Sequence, residues 1–175
     1  MAGPLSRSIG VKARIASVEA MLPRVAALAD GPPERIEQDD TFFCCPNGRL
    51  TLRAFAGGGG ELLFYRRPAG AGPRESWCRR VPASEPDALR VLLSEALGEI
   101  GRVRKRRLVF MIGAIRAHLD QVSGLGDFLE LEAALAPGQD AEAGRAPILD
   151  LLDRLDITPV QLIEGAYIEL LGGGH

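Results

Sequence analysis

Hydrophobic and polar residues alternate most cleanly over residues 8–15, where Ile9, Val11, Ala13 and Ile15 fall on one side and Ser8, Gly10, Lys12 and Arg14 on the other. Successive side chains of a strand point to opposite faces, so the pattern predicts a strand with one apolar and one polar, partly cationic face. Residues 103–110, 115–120 and 128–132 predict three more strands, with their charges sorted by sign. Lys105 and Arg107 share a face on the first, Arg116, His118 and Asp120 on the second, and Glu130 and Glu132 on the third. An ordinary half-exposed sheet scatters its signs over the wet side. Strands that contribute cations beside strands that contribute carboxylates describe a face arranged to hold an anion and its metal.

The remaining elements follow from period and punctuation. Ser17 caps a predicted helix running through Ala29, with Val18, Met21, Leu22, Val25 and Leu28 on one side and Pro23 expected to kink or shorten it. Strands at residues 41–45 and 49–56 flank the turn Pro46-Asn47-Gly48, and residues 57–60 turn the chain into a further strand at 61–67. The hairpin pairs residues 49–53 with 61–67, placing Arg49, Thr51 and Arg53 on one face, while Glu61, Tyr65 and Arg67 share a face of their own. A loop at 69–73 precedes a strand at 75–81. Ser84, with Pro86 and Asp87 in the first turn, opens a helix that Gly98 ends. A loop at 136–139 leads to a helical region holding Ile148, Leu151, Leu152 and Leu155, its start interrupted by Pro147. Thr158-Pro159 begins a short helix before a terminal segment at 167–171.

Taken together, roughly eight strands joined as antiparallel neighbours give an α+β fold. One architecture closes them into a barrel with the polar face inward, making a polar tunnel with helices on the apolar outside. The other leaves an open sheet with a solvated charged face. Segregation of signs between strands favours the barrel.

Composition narrows the setting. The chain of 175 residues suits a single domain spanning residues 1–175, and 46% hydrophobic with 25% charged residues is globular rather than disordered. A net charge of -2 gives no bulk attraction to nucleic acid, so the interesting charge is local: five of the six residues 102–107 are basic. That run alone also suits a solvated stripe or, less readily, a nucleic-acid surface. Cys44, Cys45 and Cys78 form neither a disulfide framework nor a metal-binding spacing and read as small apolar strand residues in a reducing cytosol. No apolar run is long enough to span a membrane, and residues 1–14 lack the apolar stretch of a secretory signal, so a soluble cytoplasmic protein is expected.

Lys12, Arg14, Arg49, Arg53, Arg67, Lys105, Arg107 and Arg116 can all project into one interior. Burying so many cations demands an anion, and a triphosphate is the natural partner: arginine forks take phosphate oxygens in pairs, while lysine adds point charge. Asp120, Glu130 and Glu132 offer oxygen ligands to Mg2+ or Mn2+, which bridge to substrate phosphates. Weighed singly, these residues have duller uses. His118 reads as an orienting histidine, His175 as a chain-end residue, and residues 57–60 lack the Gly-Lys-Ser/Thr ending of a phosphate loop. No Ser/His/Asp triad follows from the spacings.

The chain resembles the CYTH family, named for class IV adenylate cyclases and thiamine triphosphatases and also called triphosphate tunnel metalloenzymes. The likeness spans nearly the whole chain and is carried by residues 10–14 (Gly-Val-Lys-Ala-Arg), 38–43, 48–53, 61–67, 103–107, 116–120, 124–132 and 165–167, whose order and spacing are most similar to the class IV cyclase-like branch. The resemblance implies an eight-stranded antiparallel tunnel binding ATP, another nucleoside triphosphate or inorganic polyphosphate with Mg2+ or Mn2+. It places Lys12, Arg53, Arg67, Lys105, Arg107 and Arg116 on substrate positions, with Arg14 and Arg49 as neighbours, and Asp120, Glu130 and Glu132 on the metal side. It implies a metal-dependent adenylate cyclase or triphosphatase without a covalent protein nucleophile. One departure stands out. The family's opening Glu-x-Glu-x-Lys reads Ser8-Ile-Gly-Val-Lys12 here, and Thr51 stands where the basic-strand pattern carries lysine. Loss of both opening acids raises a competing expectation, a non-catalytic nucleotide- or polyphosphate-binding module.

Overall fold

The computed structural model describes residues 5–70 and 72–172; Met1 to Pro4, Ala71 and the chain-end His175 lie outside the described residues. Eight strands, β1 (Ser6–Ile15), β2 (Glu34–Phe43), β3 (Arg49–Phe55), β4 (Gly60–Arg66), β5 (Arg74–Ala83), β6 (Glu99–Ile112), β7 (Ile115–Val122) and β8 (Gly126–Leu135), pair in the order β1-β5-β4-β3-β2-β6-β7-β8 and close on themselves. Every pairing is antiparallel, and β1 completes the ring by bonding to β5 on one side and β8 on the other. The closed barrel settles the choice against an open sheet.

The barrel is apolar outside and polar inside. Outward-facing Ile9, Val11, Leu119, Leu129 and Leu131 join Val18, Met21 and Val25 of α1 (Val18–Leu28) and Ile148, Leu151 and Leu152 of α3 (Ala141–Arg154) in the main core. These helices can cover the wall because their apolar residues recur at helical period. Gly144 lets α3 come close: a Cβ there would lie 2.8 Å from Ile9 Cγ1 and 2.9 Å from Leu135 Cδ2. On another side α2 (Pro86–Leu97) sets Leu89 and Leu93 against Phe43 and Leu52.

The ends of several elements differ from the sequence pattern. Ser17 caps α1 as expected, but Pro23 does not shorten it, and α3 begins at Ala141, well before Pro147. Both prolines are exposed, so the carbonyl left unbonded four residues earlier faces water rather than a dry core. Asp140, through its side chain, accepts from Glu142 N and caps α3. Glu85, rather than Ser84, precedes α2, whose end is Gly98 at φ 82, a left-handed conformation that favours glycine. Cys44 and Cys45 lie beyond the end of β2, not within a strand, and Cys78 is buried in β5.

After α3 the chain returns to the barrel. Ile163 N donates to Lys12 O at 3.0 Å, Gln161 Nε2 donates to Arg14 O at 3.2 Å, and α4 (Tyr167–Leu170) follows. Tyr167 enters the interior, its ring 4.8 Å from that of Phe128, within a small cluster that includes Phe42, Val103 and Ile168.

Leu131 is fully buried between barrel and helices. Leu131→Ala should therefore lower the unfolding free energy by about 2–5 kcal/mol, read as a fall in the urea midpoint with an unchanged slope. A loss below about 0.5 kcal/mol would show that this outer layer is not the core that holds the barrel.

Candidate functional site: a cationic tunnel

Strand register builds the site as rungs across the inner wall. Lys12 of β1 stands opposite Glu130 of β8, which stands opposite His118 of β7. On the next rung Gly10 lies between Arg74 of β5 and Glu132, and Glu132 faces Arg116. Arg107 of β6 stands opposite Asp120 of β7. The alternation read from sequence thus sorts cations and acids onto facing strands.

The densest contact is around Asp120, which is fully buried. Arg107 donates to both its oxygens, Nε to Oδ1 and Nη2 to Oδ2, each at 2.6 Å, and Nη2 also reaches Glu130 Oε2 at 2.9 Å. Tyr167 OH donates to Asp120 Oδ2 at 2.7 Å, while Lys105 Nζ stands 3.9 Å from the same oxygen. Lys12 Nζ sits over the Tyr167 ring, 3.7 Å from its centre, and Lys105 lies 5.0 Å from it on a cation-π contact. Arg53 grips Asp40 with two hydrogen bonds of 2.9 Å.

These contacts set the protonation states. Burial raises the Asp120 carboxyl, but the charges of Arg107 and Lys105 outweigh it and hold the group well below the carboxylate range. Asp40 is likewise raised by burial and brought below its ordinary value by Arg53. Glu130 follows the same pattern, with Lys12 the largest charge acting on it. Burial, and then the Arg107 charge, push Lys105 down to about 8. His118 is lowered by burial and by Arg107, so it is neutral at ordinary pH. Its Nδ1 stands 3.8 Å from Glu130 Oε2, too far for a hydrogen bond, and has no other partner among the described residues.

The rungs surround a cavity of about 1030 Å³ whose lining carries nine lysines and arginines against five carboxylates. That excess asks for an anion. Lys12, Arg49, Arg53, Arg67, Lys105 and Arg107 line it as expected. Arg14 and Arg116 do not: both are exposed near strand ends, where an inward face no longer meets an enclosed space. Arg14 donates to Leu125 O at 2.9 Å and covers the Phe128 ring. Thr51 is buried in the lining between Arg49 and Arg53. Arg102 and Arg104, on the outer face of β6, both pair with Asp39, so only alternate members of the basic run reach the tunnel.

Asp40, Arg74 and Tyr167 belong to the site although the sequence pattern did not single them out as site residues. Alternation along β2 was the available signal for Asp40, which lies two residues from Phe42 and shares its face. Arg74 precedes the predicted start of its strand, and Tyr167 belongs to a segment with no readable period.

The donor set does not fit a divalent ion held by the protein. Asp120 has both oxygens taken by Arg107 and one shared with Tyr167, and Glu130 accepts from Arg107. Of the three expected metal-side residues only Glu132 makes no ion pair, and no three acid, histidine or cysteine groups gather as a metal cluster among the described residues. Gly10 offers no oxygen from a side chain. A hard cation that takes carboxylate oxygens finds only two lining carboxylates without an ion pair among the described residues, Glu132 and Glu164, in a wall that carries nine cations.

An antiparallel barrel with cations gathered on its inner wall defines the class: a tunnel barrel with a cationic lining. The chain belongs to the CYTH family, whose CYTH domain matches residues 7–167. Adenylate cyclase CyaB of Aeromonas hydrophila is 27% identical over 173 residues, covering 89% of this chain and 84% of the relative. PH1012 of Pyrococcus horikoshii OT3 shares the fold with a TM-score of 0.83 at 23% identity, covering 93% of this chain and 98% of its own. HpAC1 of Hippeastrum, described as an adenylyl cyclase candidate with a dominant triphosphatase activity, shares it with a TM-score of 0.63 at 17% identity, covering 87% and 88%. Among the described residues no helix is long and apolar enough to cross a membrane.

Asp120→Asn keeps the shape of the pair and leaves the buried Arg107 charge with Glu130 as its one remaining carboxylate. Unfolding in urea should show a loss of about 3–5 kcal/mol, whereas a loss under about 1 kcal/mol would mean the pair is not what neutralises the inner wall.

Proposed function

We propose that the tunnel binds a triphosphate chain, as ATP, another nucleoside triphosphate or inorganic tripolyphosphate. The observation that carries this reading is that one cavity is lined by nine lysines and arginines against five carboxylates, and that two of those arginines, Arg67 and Arg74, have a buried Nε without a partner among the described residues. A buried donor of a charged group left unbonded is costly, and phosphate oxygens are the acceptors that match a guanidinium. Lys12, Arg53, Lys105 and Arg107 are the further groups for the chain of phosphates, and the breadth of the cavity suits several phosphates rather than one.

The names of relatives bring two reactions to this chain as proposals. In a cyclase the ribose 3'-hydroxyl attacks the α-phosphate and pyrophosphate leaves; in a triphosphatase water attacks the terminal phosphorus, the diphosphate remainder leaves and the phosphoryl group is released as orthophosphate. Both use positioning and cationic stabilisation of the phosphate oxygens, with no covalent intermediate on the protein. A divalent ion bound with the substrate would neutralise developing phosphate charge; here the cations of the wall hold and orient the chain.

A second reading, binding without turnover, is favoured by Gly10. Its Cβ position is open, with Leu131 O at 3.6 Å and Arg67 Nη2 at 4.0 Å, so a side chain fits where this chain has none. Purified protein and Gly10→Glu should be incubated with ATP, thiamine triphosphate and tripolyphosphate, with Mg2+, with Mn2+ and with chelator. Release of orthophosphate or formation of cyclic AMP by the native chain rejects the binding-only reading. Binding without product, with turnover gained by Gly10→Glu plus metal, rejects the enzymatic one.

Protonation of Lys105 gives a further expectation. An anion favours the charged lysine, so above pH about 8 the free protein must take up a proton that the complex keeps. Affinity for tripolyphosphate in chelator should therefore fall with rising pH, by up to about tenfold per unit above 8. Lys105→Met should show a shallower slope by titration calorimetry, and an unchanged slope would remove Lys105 from the grip.

A further inference from the structure

We infer that this barrel takes its polyphosphate without a divalent ion, with the guanidinium of Arg67 beside Gly10 and that of Arg74 against the adjoining loop at Pro68 standing in the place of the metal; this rests on the triphosphate reading above.

The geometry converges on one residue. Gly10 pairs in register with Arg74 across β1 and β5, and its carbonyl accepts from Arg67 Nη2 at 2.6 Å. Arg74 is turned toward the same loop, donating from Nη1 to Pro68 O at 2.6 Å, one residue after Arg67. Each arginine thus has one terminal nitrogen anchored to backbone while its buried Nε stays unbonded. Two cations fixed side by side repel, and neither makes an ion pair among the described residues. They resemble half of a salt bridge whose other half arrives from outside.

The opposite side of the rung explains why a metal is not needed. A carboxylate at position 10 would face Glu132 directly across β8, and two like charges facing each other call for a cation between them. With Gly10 in that place, Glu132 instead lies between Arg116 in register on β7 and Arg74 beyond Gly10 on β5. The rung already carries more positive than negative charge. A metal-free polyphosphate, more anionic than its metal complex, complements it better.

Titration calorimetry on the full chain, with tripolyphosphate as ligand, tests this. Affinity in chelator should equal or exceed that in excess Mg2+, which competes by complexing the phosphate. A more than tenfold loss on adding chelator overturns the inference while leaving the triphosphate reading in place, and no binding in either condition overturns both. Arg74→Gln should weaken binding in chelator by about tenfold or more, with a melting temperature no lower than that of the native chain because a repulsion is relieved. Should that variant melt early, Arg74→Lys, which keeps the charge, should bind with intermediate affinity; native affinity in either variant excludes Arg74 from the site. Gly10→Glu should reverse the preference, binding weakly in chelator and recovering with Mg2+, and indifference to metal in this variant would overturn the assignment of the rung.

Discussion

Arg107 and Asp120 hold the interior together. A barrel lined with lysine and arginine is unfavourable unless each desolvated charge is offset, and this pair supplies the deepest compensation, two hydrogen bonds of 2.6 Å at a carboxylate with no exposure. Other charges are arranged around it. Lys105 lies at the edge of the same carboxylate, Glu130 shares the Arg107 Nη2, and Lys12 reaches the network through the face of Tyr167. The network leaves Arg67 and Arg74 over, without an ion pair among the described residues, where β1 carries Gly10. What is satisfied inside the wall and what is left unsatisfied are two outcomes of one charge distribution.

The polar interior also decides where the hydrophobic core must be. With the inner wall given to charge, burial of apolar surface has to come from the outside of the barrel, against α1 and α3 on one side and α2 on another. The helices are therefore structural partners of the tunnel rather than walls of it. Gly144 shows how tight that arrangement is, since even a methyl group there would collide with β1 and β8.

Much of this was legible in the chain because a strand with one apolar and one charged face has period two, and β1, β6, β7 and β8 show it plainly. The hairpin of β3 and β4 came with its turn residues, while its register, Arg49 opposite Tyr65 and Arg53 opposite Glu61, is seen only in the structure. The first half of β2 was not readable: Glu34 to Asp40 has a single apolar residue, Ile36, among polar residues on both faces, its outer Asp39 serving Arg102 and Arg104 and its inner Asp40 serving Arg53. A strand stabilised by charge on both sides has no hydrophobic period. The prolines misled for the opposite reason, since Pro23 and Pro147 weaken a helix locally while exposure and packing decide whether it persists. Sign segregation located the tunnel, but pairing within it could not be read: Asp120 and Glu130 looked like metal ligands until the position of Arg107 was known.

The double pairing of β1 has a consequence for assembly. Arg7, among the first described residues, finds Trp77 on β5 and Leu135 on β8, so the strand made earliest gains its last neighbour only after β8 has been made. Until then the main core lacks one wall, and the inward cations of β1 and β6 lack the carboxylates of β7 and β8. Contacts so distant in sequence make closure of the ring slow relative to its hairpins. The tunnel is therefore the last part of the molecule to come into being, and a nascent chain halted before β8 has strands with their lysines and arginines in place and nothing yet to hold.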